Sequence, residues 1–392
     1  MSWPLVELGT VAQINPRLPQ GTDEAQDVSF LAMASVSEDG LILNQESRTL
    51  SETKKGFTYF ERNDVLLAKI TPCFENGKAV LLYNLNHQIG FGSTEFHVLR
   101  PLKDKLDAKY LFYMVWSDRF RFFGEKAMKG AAGQKRISTD FLKEFKIPLP
   151  PLNEQKRIAT ILDKADSLRR KRQQAIQLAD QFLLSVFLDL FGDPVMNPKG
   201  WDVGCFSDIC MLNPQSKKYE DDLLVSFVPM QRVSGSSSSI NLEEKRPYSE
   251  VKKGFTVFID GDVLFAKITP CMENGKAGIA LKLENGIGFG STEFHVFRPY
   301  ESVYAEFIYS LVHLDVFRKL CADNFSGAVG HKRVPKDFLA KFPLYLPPLK
   351  LINKFSVIFN RVNALSSKLE GTGFHNTELF NSLSQKAFAG EL

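Results

Sequence analysis

Residues 54–101 read KKGFTYFERNDVLLAKITPCFENGKAVLLYNLNHQIGFGSTEFHVLRP, and residues 252–299 read KKGFTVFIDGDVLFAKITPCMENGKAGIALKLENGIGFGSTEFHVFRP. The two stretches are identical at 33 of 48 positions, without a gap, 198 residues apart. Solenoid repeats have periods of about 20–50 residues, so this is a whole domain used twice in one chain. Two like domains on one polypeptide suit two equivalent sites on one extended or two-fold symmetric partner.

The likeness extends beyond this block. Trp3 to Arg17 parallels Trp201 to Gln215, and the Val28-Ser29-Phe30 segment parallels Val225-Ser226-Phe227. GAAGQKR at 130–136 parallels GAVGHKR at 327–333, and FLKEFKIPLPPL at 141–152 parallels FLAKFPLYLPPL at 338–349. The halves differ most over residues 18–53, 80–88 and 102–129 and their counterparts.

Within a half, residues 64–70 and 96–100 are short, β-rich and bounded by Gly, Pro or Asn, as strands are. Gly77, Gly90 and Gly92 mark turns or close backbone approaches. Residues 107–124 read as one helix with an aromatic face. Each half is therefore expected to be an α+β domain.

A Pro-Pro pair then closes each body, at 150–151 and 347–348, and blocks helix propagation from the left. Apolar residues at spacings of three and four follow. Ile158, Leu162, Ala165, Leu168, Ala175, Ile176, Ala179, Phe182, Leu183, Val186 and Leu190 mark an amphipathic helix over 153–191, about 55–60 Å long. A second such pattern runs over 351–388, through Phe355, Ile358, Val362, Leu365 and Leu369 and then Leu379 and Leu383. Gly371 and Gly373 interrupt it. Two glycines cost a helix about 2 kcal/mol relative to alanine, which predicts a kink or break there. The expected architecture is a body at 1–152, a helix at 153–192, a body at 193–349 and a helix at 350–392. The helices should pair as an antiparallel coiled coil with a pseudo-two-fold axis.

The chain has 392 residues, a net charge of +4, 44% apolar and 24% charged residues, which is ordinary for a globular protein. The weak charge permits a nucleic-acid partner without arguing for one. Five cysteines without close pairs argue against a disulfide framework or a Cys-rich zinc site. With neither a signal-peptide pattern at the start nor an 18-residue apolar run, a cytoplasmic location and no membrane partner are expected.

The tandem KITPC-x-ENGK and GFGSTEFHV body, the IPLPPLNEQKRI exit at 147–158 and the helix after each body resemble the specificity subunit of type I restriction–modification systems, over essentially the full length. The resemblance implies two target recognition domains, each reading one half of a bipartite sequence in double-stranded DNA. It implies helices that set the half-site spacing and dock two methyltransferase subunits. Those subunits would bind S-adenosylmethionine and methylate adenine, so no cofactor is expected in this chain. Restriction subunits can join such a complex.

Enzyme readings fare poorly on the residues. The nearest approach to an amino-methyltransferase tetrapeptide is Asp193-Pro-Val-Met196, which lacks the second proline and the aromatic, and residues 89–92 lack the G-x-G-x-x-G spacing. Asp64 with Glu75 and Lys78, repeated as Asp262, Glu273 and Lys276, suggests a nuclease metal site. The E-x-x-K spacing would put the two charges on opposite faces of a strand, and a turn cornered by Asn-Gly is the simpler reading. His97 and His295 read as strand histidines satisfied by a neighbour. Neither catalytic nor metal residues are expected. A fused nuclease and the specificity component of a related defence system remain as alternatives.

DNA contact calls for cations on phosphates and amide, guanidinium or hydroxyl groups on base edges. The repeated candidates are Lys54, Lys55, Lys69, Lys78, Gln134, Lys135 and Arg136 in the first half. In the second they are Lys252, Lys253, Lys267, Lys276, His331, Lys332 and Arg333. The small residues of the 130–136 loop would let it approach a duplex closely. Lys164, Arg169, Arg170, Lys171 and Arg172 read as a solvated or subunit-docking helix face.

Overall fold

In the computed structural model, residues 3–131, 133–194, 196–328 and 332–392 are described, apart from the side chains of 370–378. The chain divides into two units, residues 1–173 with 371–392 and residues 174–370. Each unit holds one copy of the repeat and a piece of each long helix.

In the first copy the elements are β1 (Leu5–Glu7), β2 (Ala12–Ile14), β3 (Asp27–Leu31), β4 (Glu46–Thr49), α1 (Leu50–Thr53), β5 (Thr58–Glu61), β6 (Val65–Ala68), β7 (Ala79–Leu81), β8 (Ile89–Gly92), β9 (Phe96–Pro101), α2 (Ala108–Trp116), α3 (Asp118–Ala127), α4 (Thr139–Glu144) and β10 (Lys146–Pro148). The helix α5 (Leu152–Phe191) follows. Strands β2-β9-β6-β7 form an antiparallel sheet, and β4-β3-β8-β5 form a second in which only β3 and β8 run parallel. A short β1–β10 ladder closes the body.

Alternation along β6 explains the layering. Val65 and Leu67 face one core, with Leu99, Tyr110, Leu111 and Leu142, whereas Leu66 and Ala68 face a second, with Leu31, Phe60 and Val98. A strand buried on both faces must be apolar throughout, and VLLA is. A third cluster of Val28, Phe30, Leu50, Tyr59 and Phe91 covers the outer face of the second sheet. Gly90 and Gly92 make that stack possible. A Cβ on Gly90 would lie 2.2 Å from the Phe60 ring, and one on Gly92 would lie 2.5 Å from the Leu31 carbonyl oxygen.

The second copy repeats this order as β11 (Asp202–Gly204), α6 (Phe206–Ile209), β12 (Cys210–Leu212), β13 (Leu224–Val228), β14 (Lys245–Pro247), α7 (Tyr248–Val251), β15 (Thr256–Ile259), β16 (Val263–Ala266), β17 (Ala277–Ile279), β18 (Ile287–Gly290), β19 (Phe294–Pro299), α8 (Tyr304–His313), α9 (Asp315–Asp323), α10 (Lys336–Lys341) and β20 (Leu344–Leu346), then α11 (Leu349–Ala389). Its sheets have the orders β12-β19-β16-β17 and β14-β13-β18-β15.

Three expectations need correction. The single helix over 107–124 is two, because the Ser117 side chain caps α3 by accepting from the Phe120 amide, in an extended conformation that ends α2. α11 is helical from Leu349 to Ala389 without a break at Gly371 and Gly373. Packing of its two flanks outweighs the weak local propensity of two glycines. On α5, Phe182 and Leu168 are exposed, whereas Phe187 and Phe191, outside the expected stripe, are core. A straight 3.6-residue helix drifts off a fixed stripe over 40 residues.

Within each unit the two long helices run in opposite directions. In the first, Ile158 and Leu162 near the start of α5 share a core with Phe380 and Phe388 near the end of α11, and Arg157 donates to the Leu392 carbonyl at 3.5 Å. In the second, Phe187 and Phe191 near the end of α5 pack against Phe355 near the start of α11, each with ring centroids 5.4 Å apart. Gln155 is fully buried and ties α5 to the first body: its amide donates to the Lys105 and Pro150 carbonyls, and its oxygen accepts from the Asp107 amide.

Candidate nucleic-acid interface

Strand register gathers most of the candidate cations at one end of each body. In the first, Ala68 at the end of β6 lies opposite Phe96 at the start of β9, and Thr58 at the start of β5 lies opposite Gly92 at the end of β8. The 54–57 turn, Lys69, Lys78 and the segment Ser93-Thr94-Glu95 are therefore neighbours along one edge. The 129–136 hairpin joins them: Lys129 and Arg136 bridge each other, Arg136 bridges Ile70, and the Thr71 amide donates to the Lys135 carbonyl at 3.0 Å.

Arg136 does not reach freely into solvent. Its Nε and Nη2 donate to Glu95 at 2.9 Å each, a bidentate pair that fixes the guanidinium plane. In the second body, Arg333 donates to Glu293 at 2.9 and 2.8 Å in the same way. The hydrogen bonds from Arg136 and Arg333 hold the Glu95 and Glu293 carboxyls below the usual carboxylate range. Lys78 Nζ donates to the Met33 carbonyl at 3.4 Å and Lys276 Nζ to the Met230 carbonyl at 3.1 Å, so both are half-buried anchors of the edge. Lys54 pairs with Glu24, and Lys252 with Asp221 at 2.7 Å. Lys69 and Lys267 are half-buried beside the Glu–Arg pairs. Lys55, Gln134, Lys135, Lys253 and Lys332 are exposed, and these are the side chains best placed to meet a phosphate or a base. His331 lies outside the described residues.

Sequence reasoning missed the acidic half of this edge. Glu95 and Glu293 stand beside candidate cations, and their signal was present: each repeats with its arginine about 40 residues downstream. It also missed what holds the edge from behind. His97 is buried; its Nδ1 accepts from Asn15 Nδ2 at 3.1 Å, and its Nε2 donates to the Ile137 carbonyl at 3.0 Å. His295 does the same with Asn213 at 3.0 Å and Val334 at 2.8 Å. Burial lowers the pKa of both, His295 to about 4, so both rings stay neutral and buttress the hairpin strand. Asn15 and Asn213 adopt φ of 54° and 53°, a left-handed conformation that asparagine tolerates.

The geometry pulls the nuclease combination apart. Asp64 sits before β6, where Arg100 grips it with Nε and Nη2 at 2.8 and 2.7 Å, and Glu61 accepts from Nη1 of the same arginine. Lys78 lies four residues along, beside Ala68, which is about 13 Å at strand rise. Glu75 accepts from the Thr71 hydroxyl at 2.7 Å within the 71–77 turn. Asp262 and Arg298 repeat the ion pair. Among the described residues no three acidic, His or Cys groups come together as a metal site, and no helix is long and apolar enough to cross a membrane.

Comparison with known proteins agrees with this organisation. Over 164 residues the chain is 42% identical to the EcoEI specificity subunit of Escherichia coli, covering 41% of this chain and 27% of that protein. Over 197 residues it is 38% identical to the EcoAI specificity subunit of the same organism, covering 49% and 33%. The matches thus span about a quarter to a third of those relatives. The type I restriction–modification S subunit from M. genitalium shares the fold at 14% identity, with a TM-score of 0.57 over 99% of this chain and 96% of that one. The profile of the type I restriction modification DNA specificity domain matches twice, over residues 2–178 and 198–370, and the chain belongs to that family.

Proposed function

We propose that this chain is the non-catalytic DNA-reading subunit of a type I restriction–modification complex. Each body reads one half of a bipartite site in double-stranded DNA. The long helices set the distance between half-sites and dock two methyltransferase subunits, which bring S-adenosylmethionine and the methylating chemistry. Restriction subunits join the same assembly. One observation carries the reading: the same edge of exposed lysines, backed by the same Arg–Glu pair and neutral histidine, occurs in both bodies of one chain. Opposed helix directions within each unit favour inverted half-sites, with centres about one helical turn, 34–36 Å, apart. The names of the Escherichia coli relatives as specificity subunits support it.

The test is co-expression with a type I methyltransferase subunit from the same genome, followed by methylome sequencing. A bipartite motif is expected, and Lys135→Ala/Lys332→Ala should lower methylation across it. Absence of any bipartite motif would overturn the proposal. So would Mg²⁺-dependent DNA cleavage by the isolated chain that disappears in Glu75→Ala/Glu273→Ala.

A further inference from the structure

The turn before β5 carries an aromatic that packs on one side only. Phe57 is 38% exposed, and Phe255, its counterpart before β15, is 36% exposed. Each follows a glycine at positive φ, +84° at Gly56 and +81° at Gly254, around which a Cβ would meet nothing within 4 Å. The turn thus stands at the surface, with Lys55 and Lys253 exposed beside the partly exposed rings. Beneath the ring lies a built platform. Phe57 stands edge-on to Phe30, with centroids 4.9 Å apart at 85°, and Arg48 covers the Phe30 ring at 3.4 Å. Phe255 stands on Phe227 at 5.0 Å and 90°, with Arg246 at 3.7 Å from the Phe227 ring. Glu46 holds Arg48 and Glu244 holds Arg246.

Arg48 and Glu46 lie within residues 18–53, where the two halves are least alike, yet the platform is the same in both. A device kept constant inside a divergent stretch cannot make the two half-sites differ. It suits a contact with what every duplex shares. The register also places the turn at the lysine-rich edge, because Thr58 pairs with Gly92, three residues before Glu95, the Arg136 partner.

We propose that Lys55-Gly56-Phe57 and Lys253-Gly254-Phe255 are sequence-independent backbone anchors for duplex DNA. The Phe ring lies against deoxyribose, and the lysine neutralises the adjacent phosphate. This rests on the DNA-reading proposal.

The complex with its methyltransferase subunits is titrated with a duplex carrying the methylome motif and with a scrambled duplex, across a salt series. Phe57→Ala/Phe255→Ala should weaken binding to both duplexes by about the same factor, on the order of tenfold. Phe57→Tyr/Phe255→Tyr should retain binding, and the methylated motif should not change. Lys55→Gln, at an exposed position that does not threaten folding, should lower the slope of log affinity against log salt by about one. Unchanged affinity in the alanine variant together with an unchanged slope in Lys55→Gln would overturn the anchor while leaving the DNA-reading proposal standing. An altered motif would overturn it as well, since the turn would then read bases. A wild-type complex that binds neither duplex would overturn both.

Discussion

Single side chains in this protein act mostly by holding others. Asp262 is 1% exposed and is paired in a bidentate manner with Arg298, so truncating one partner leaves a desolvated charge. Arg298→Ala should destabilise the second unit by about 3–5 kcal/mol in urea unfolding, whereas a surface lysine such as Lys253→Ala should change it by less than about 0.5 kcal/mol. The histidines give a pH signature. Burial pulls His295 and His313 down to about 4, against about 6.5 in the unfolded chain. Between those values the unfolded chain binds more protons, so these groups subtract stability as pH falls from about 6.5 to about 4 and leave it unaffected above. Unfolding free energies at pH 7.5 and pH 5 should differ less in His295→Gln than in the wild type. An undiminished difference would mean that the ring is already charged in the fold.

At the scale of elements, β8 and β18 each carry two glycines required by close packing rather than by a turn: a ring crowds Gly90 and Gly288, and a neighbouring strand's carbonyl oxygen crowds Gly92 and Gly290. A Cβ on Gly90 would meet Phe60 at 2.2 Å, and one on Gly288 would meet Phe258 at 2.1 Å. Both rings are buried and cannot swing aside, so Gly90→Ala and Gly288→Ala should each cost about 1–3 kcal/mol, read as a fall in melting temperature. Partial recovery by Phe60→Leu in the Gly90→Ala background would assign that share of the clash to the ring, the remainder falling on the Ser29 carbonyl oxygen at 2.7 Å. In α5 the sequence pattern located the helix and most of its buried face, but it included the exposed Leu168 and Phe182 and left out Phe187. Phe187 is 1% exposed among Phe191, Phe307 and Phe355, so Phe187→Ala should cost about 3–5 kcal/mol. Phe182→Ala, at a half-exposed position, should cost far less. The reverse order would restore the stripe read from spacing alone.

At the scale of the whole chain, the DNA-reading proposal turns the likeness of the two bodies into a prediction about the half-sites. If each body reads with the same edge, half-sites written on their own strands should share bases. Methylome sequencing that gave half-sites without a common base would contradict this. Base choice should follow residues 18–53 and 102–129 and their counterparts, where the copies differ. Exchanging residues 18–53 for their counterpart should change one half of the motif and leave the other intact.

The duplication, the two long helices and the turn at 71–77 were legible in the sequence, because each is a local or repeated pattern that spacing reveals. What spacing could not show is which charges are already paired. Arg136 and Glu95 are 41 residues apart and meet only because β6, β9 and the hairpin end together. Asp64 and Lys78 are close in sequence, yet Asp64 precedes β6 and Lys78 lies beside its far end. Local propensity and periodicity determine where elements begin. Which side chains stay free is decided by register and burial, since only the folded edge brings each cation its partner or leaves it in solvent.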